Sequence, residues 1–281
     1  MRIHYLIGLL LLAVAGLHLV VFAIDGGAWD GPVSWRKPIT FGLSFGASVL
    51  TLTWISGFVR LGDRARSLLL GIFAAASVLE VGLTSMQAWR GVPSHFNLET
   101  TFDSIVARSL AAGGVALIVV VVALTIAAFR TGSGSAVPAS MRLAVRAGLV
   151  ALVASMALGA VMIARGLTLE GSGHQQAAYE LAGFLRPAHA VTMHAILLLP
   201  ALAWLLGRSS RPEAARLRLI RIATGTYAAT SVLVVIASAI DATVLTPATA
   251  AAVSAAAVVI PALAILVIGR RRGAEAAPVR P

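Results

Sequence analysis

"RLGDRARSLLLGIFAAASVLEVGLTSMQAWRG", residues 60–91, holds in one stretch the pattern that decides the fold. Arg60, Arg64 and Arg66 open it, an apolar run follows over residues 67–88, and Trp89 and Arg90 close it. About 20 apolar residues cross the hydrocarbon of a bilayer as a helix. The run therefore predicts a membrane span. Its arginine flank marks the cytoplasmic end and its tryptophan the opposite interface, where aromatic side chains settle.

The same pattern recurs along the chain. Spans are expected at residues 5–24, 38–59, 67–88, 104–129, 143–164, 188–207, 219–240 and 247–269, eight in all. Charged residues make up 12% of the 281, against about 25% in soluble domains, and mean hydropathy is +0.92. The net charge of +11 is a topology signal and not a nucleic-acid patch. Sixteen of the 22 bases fall on one side with three acids, while the other side carries six bases and eight acids. By the positive-inside rule both termini are cytoplasmic. With no cysteine in the chain, disulfides, thiolate metal sites, Fe–S clusters and cysteine nucleophiles are excluded.

These readings predict an all-α fold: a polytopic integral membrane bundle of about eight helices in a bacterial plasma membrane. Residues 1–273 form a single transmembrane domain and 274–281 a disordered cytoplasmic tail. The first apolar run is too long for a signal peptide, and no small-x-small cleavage site follows it, so it is read as a retained helix. The cytoplasmic connections, such as "RLGDRAR" and "GRSSRPEAARLRLIR", read as plain positive linkers. The opposite connections are richer in aromatic, amide, acidic and histidine side chains, which places any chemistry on the outer side. In the third of them Ala178, Leu181 and Leu185 share one face of a short helix.

At about 1.5 Å per residue, His18, Glu80, Arg108, His189 and His194 fall within a similar band, roughly 5–12 Å below the outer surface. Ionisable residues at such depth usually face a bundle interior and mark functional sites or pairs. Ser77, Glu80, Thr84 and Gln87 form one polar stripe on the third helix. Thr40, Ser44, Ser48 and Thr51 make a quieter one on the second. Two such stripes make either a hydrogen-bonded packing seam or the wall of a cavity. Glu80 in either case needs a cation, a metal or a proton. Arg90 and His95 lie at the outer mouth, whereas Thr100–Asp103 reads as a capping box that starts the next helix.

His189 and His194 are five residues apart, about 140° around a helix, so they do not clamp one metal from one face. The structural reading has His189 at the helix start and His194 bonded across to a neighbour. The functional reading joins them with His18 and Glu80 as metal ligands. Imidazoles and a carboxylate suit zinc, copper, iron or axial haem ligation, and equally a proton relay or a quinone pocket. Lys37, the one lysine in the chain, stands at the outer start of helix 2, within reach of Asp25, Asp30 or an anionic substrate group.

Three stretches, "WRKPITFGLSFG", "EVGLTSMQAWRGVPSHFN" and "RPAHAVTMHAILLLP", carry a resemblance. Together they resemble an uncharacterised family of bacterial multi-pass membrane proteins with W-x-K-P-x-x-F, E…Q-A-x-R-G-x-x-S-H-F-N and R-x-A-H-x-x-x-M-H-A-x-x-x-L-P segments. The resemblance covers residues 33–205. It implies that Lys37, Glu80, Gln87, Arg90, His95, Arg186, His189 and His194 act as a set, and it implies no reaction. Where members carry a glutamine in an HALQ segment, this chain has Ile196-Leu197.

Two functions remain open from the sequence. In the first, a metal- or haem-dependent membrane oxidoreductase, Glu80, Arg90 and His95 are catalytic. Lys37, Gln87 and Arg186 then bind a cofactor, and His18, Glu80, His189 and His194 hold a metal. In the second, the protein is a proton- or cation-coupled transporter or channel for a small solute. The expected partners are the lipid bilayer and a small-molecule or quinone substrate, without nucleic acid.

Overall fold

The structure is a computed structural model that describes residues 1–130 and 136–240. Every regular element among them is helical: α1 (Arg2–Asp25), α2 (Arg36–Ile55), α3 (Asp63–Trp89), α4 (Thr101–Arg130), α5 (Ala139–Gly171), α6 (Gln175–Leu181), α7 (Arg186–Gly207) and α8 (Glu213–Ala239). Short 3-10 turns at Ser56–Phe58 and Ala182–Leu185 extend α2 and join α6 to α7. Among the described residues seven helices are long and apolar enough to cross a membrane, α6 and α7 counting together as one. The eighth expected span, 247–269, and the tail at 274–281 lie outside the described residues.

Outward-facing positions are as apolar as the core. Leu10, Val119 and Leu233 are each more than half exposed. A surface of that kind suits lipid contact and not water.

Most of the helices run longer than their apolar patterns, and in two of them the added residues had read as connections. The α5 helix continues past residue 164 to Gly171, because no breaker intervenes before Gly173, whose φ of 81° favours glycine. Arg165 on this extension lies over the Phe184 ring, 4.3 Å from its centroid. The α8 helix begins at Glu213, behind an extended Pro212, so Arg216 and Arg218 are helical and the "RPEAARLRLIR" stretch is not a plain linker. A proline before the first turn forgoes no hydrogen bond, since that N–H has no helical partner.

The chain forms two compact units. Of the described residues, the first comprises 1–130 and 156–185 and the second 136–155 and 186–240. In the first unit α1 packs on α2 and α3, and α3 also packs on α2 and α4. Small residues set the α1–α2 approach. A Cβ on Gly42 would meet Ala15 Cβ at 2.8 Å and the Leu11 carbonyl at 2.9 Å, and one on Gly46 would meet the Gly8 carbonyl at 2.9 Å. Glycines four apart let helix backbones close to this range.

In the second unit α7 packs on α8. The Tyr227 hydroxyl of α8 donates to the Val191 carbonyl of α7 at 2.6 Å. Glu213 of α8 accepts from the Ser140 backbone N–H at 2.7 Å, satisfying a donor in the first turn of α5.

Candidate functional site

In the first unit the C-terminal ends of α1 and α3 and the N-terminal end of α2 carry an aromatic cluster. Trp35 and Trp89 meet edge to face, their centroids 5.1 Å apart, and the His18 ring stands 5.9 Å from Trp35. Both ring nitrogens of His18 are engaged. Nδ1 donates to the Val14 carbonyl at 2.7 Å, and Nε2 accepts from the Trp89 indole at 3.1 Å. That pattern fixes a neutral tautomer with no lone pair left for a metal.

The stripe expected on α3 forms one buried face: Ser77, Glu80, Thr84 and Gln87 are each at most 4% exposed. Its members differ in how they are satisfied. Ser77 donates back to the Phe73 carbonyl at 2.8 Å. Gln87 is held at the aromatic end by Asp103, to which its amide donates at 2.9 Å. Glu80 takes part in no hydrogen bond or ion pair among the described residues. Its carboxylate has room because α4 carries Gly113 opposite, where a Cβ would lie 2.8 Å from Glu80 Oε1. An ionised carboxylate buried without a partner is strongly unfavourable, so the group calls for a proton or a cation.

Asp103 is the hub that closes the stripe. Besides Gln87, it accepts from Arg90 at 2.6 Å and from the Thr100 hydroxyl at 2.6 Å, while its own N–H donates to Thr100 Oγ1 at 3.1 Å. The N-cap half of the expected capping box therefore forms, with Asp103 bonding the Thr100 hydroxyl in place of its backbone N–H, and the same carboxylate also fixes α3 to α4. Arg90 additionally donates to Gln87 and sits over the Phe102 ring at 4.7 Å. Its guanidinium is thus one of the ties between α3 and α4.

His95 lies on the loop between α3 and α4. Its Nδ1 is 2.9 Å from Ser94 Oγ, and its ring contacts Phe41 with centroids 5.8 Å apart. Lys37 is one turn before Phe41 on α2, and its ammonium donates to the Pro32 carbonyl at 3.0 Å. Burial, reinforced by the Lys37 charge, pushes the His95 imidazole down to about 3. The next residue, Phe96, adopts a left-handed φ of 61°. For a bulky residue that conformation costs about 1–3 kcal/mol and has to be imposed by its surroundings. The imposition comes from α5, where Gly166 leaves space for the Phe96 ring. Asn97 turns the chain by accepting from the Glu99 N–H at 3.1 Å.

The second unit holds the remaining histidines. His189 Nδ1 donates to the Ser155 carbonyl at 2.8 Å, and the Ser155 hydroxyl donates back to the His189 carbonyl at 2.9 Å. His194 Nδ1 is buried without a hydrogen-bond partner. The carbonyl of Ala190, one turn back, lies within electrostatic reach of it but outside hydrogen-bond geometry. Arg186 begins α7.

Family models, curated proteins and solved structures give no match to this chain. The site is therefore read from its own geometry. Of the residues expected to act together, the first unit gathers Gln87 with Arg90 and sets His95 beside the Lys37 face of α2. It leaves Glu80 apart from all of them. Among the described residues, no three histidine, aspartate or glutamate side chains come together as a group that could hold a metal ion. Asp103 and Ser155 are the partners that sequence reasoning missed. Asp103 was legible only as a helix start, and Ser155 had no signal beyond being a lone hydroxyl in an apolar run.

Proposed function

We propose that this chain is a polytopic protein of the bacterial plasma membrane with both termini in the cytoplasm, so that the aromatic end of the first unit faces outward. Glu80, buried from that side, takes up and releases a proton or a monovalent cation, and its exchange drives a small solute across or into the bilayer. The observation that carries this reading is the isolation of the Glu80 carboxylate: among the described residues it has neither an arginine nor a hydrogen-bond donor to hold it charged. Lys37, His95 and Arg90 stand at the entrance. Membership of the multi-pass family that the three segments resemble fits the same residues.

Electrical recording from proteoliposomes on a solid support tests the proposal. A step in external pH should displace charge within the membrane and give a transient current, abolished in Glu80→Gln. A transient of unchanged size in that variant contradicts the reading.

A metal- or haem-dependent oxidoreductase is the second reading, and one observation favours it. The Ser155 carbonyl accepts a hydrogen bond from His189 Nδ1–H, which leaves Nε2 as the nitrogen with a lone pair for a ligand. Metal-binding histidines are oriented in this way. A Soret band or a stoichiometric metal in the purified protein, lost in His189→Ala, would establish it. A colourless, metal-free protein would remove it.

A further inference from the structure

Glu80 has a neighbour on its own face of α3 that shares its isolation. Thr84, one turn nearer the aromatic end, is 1% exposed, and its Oγ1 has no hydrogen-bond partner. Hydroxyls inside helices usually turn back onto a carbonyl of the preceding turn. Thr53, Ser77, Thr125 and Thr192 do so here, at 2.7–2.8 Å. The corresponding acceptor for Thr84 is the carbonyl of Glu80 itself, and Thr84 holds its hydroxyl away from it. An unpaired buried hydroxyl costs about 1–3 kcal/mol unless water or a ligand satisfies it.

The spacing along the stripe suits water. A rise of 1.5 Å per residue puts Thr84 about 6 Å above Glu80 and Gln87 about 4.5 Å above Thr84. One water bridges polar groups about 5.5 Å apart. Beyond Thr84 the stripe ends at Gln87, which Asp103 and Arg90 hold in place. On the elements packed against α3, the titratable groups toward this end are His18 and the exposed Asp25 on α1, Arg36 and Lys37 on α2, and Asp103 and Arg108 on α4. None of them bonds to Glu80 or Thr84 among the described residues.

We propose that Glu80, Thr84 and Gln87 line a proton path to the aromatic end, with the Thr84 hydroxyl relaying between two bound waters. The water on the Gln87 side, protonated from the aromatic end, gives a proton to Oγ1, the hydroxyl's own proton passes to the water beside Glu80, and that water protonates the Glu80 carboxylate. The hydroxyl is regenerated and carries no net charge. The path rests on Glu80 being the exchanging group.

Infrared spectroscopy of the reconstituted full chain tests it, following the Glu80 carboxyl band, assigned by its loss in Glu80→Gln, after a switch from H2O to D2O. Thr84→Val keeps the shape and removes the hydroxyl. It should slow deuterium uptake at Glu80 by about 100-fold or more, the scale of one lost proton-transfer group, with the thermal midpoint retained. Thr84→Ser should restore near wild-type exchange. Wild-type exchange in Thr84→Val overturns the path, and so does a Thr84→Ser variant as slow as Thr84→Val, which would assign the effect to packing. If no band disappears in Glu80→Gln, the Glu80 reading itself falls and the path with it.

Discussion

Glu80 and Asp103 show how differently a buried carboxylate can be treated within one unit. Asp103 accepts from Gln87, Arg90 and Thr100 and ties α3 to α4, whereas Glu80 meets a glycine. The stripe that contains Glu80 was legible in the sequence because helical periodicity puts Ser77, Glu80, Thr84 and Gln87 on one face. The Asp103 hub was not, because a contact between helices 16 residues apart leaves no period to read. His95 yields a pH prediction. Its imidazole is pushed from an ordinary value near 6.5 to about 3 in the folded loop. Between those values the unfolded loop binds more protons than the folded one, so stability is full above about pH 6.5 and declines as pH falls toward 3. NMR of ring-labelled histidine should show His95 neutral at pH 5. An imidazolium signal for His95 at that pH would contradict the burial assigned to it.

Among the helices, element existence was legible and element ends were not. Apolar run length located all seven described spans, but α5 and α8 outran their runs, because charged residues at the membrane margin do not break a helix and only Gly173 and Pro212 do. The α1–α2 contact was written in the "FGLSFGAS" stretch, where Gly42 and Gly46 stand four apart beneath the weak Thr40, Ser44, Ser48 and Thr51 pattern. Its Cβ contacts make a prediction. In Gly42→Leu the new side chain meets the fixed Ala15 Cβ and the α1 backbone, not a movable side-chain tip, so the helix pair should lose about 1–3 kcal/mol or more. The thermal midpoint in detergent should drop, while Gly16→Leu, where a Cβ meets nothing within 4 Å, should leave it close to wild type. Equal losses at both positions would contradict the close approach.

At the scale of the whole chain, the proposed sidedness of the loops rests on the arginine distribution, and the absence of cysteine makes it easy to test. In intact cells a membrane-impermeant maleimide should label Glu99→Cys and Ser172→Cys, on the aromatic side of the first unit, and spare Asp63→Cys and Ser209→Cys until the membrane is opened. The reverse pattern would invert the topology and turn the Glu80 site toward the cytoplasm. The central claim, however, is that Glu80 exchanges a proton, and an infrared pH titration of the reconstituted protein asks this directly. A carboxyl C=O band should rise and fall with external pH in the wild type and be missing from Glu80→Gln at every pH. Identical titrations of the two proteins would contradict the account.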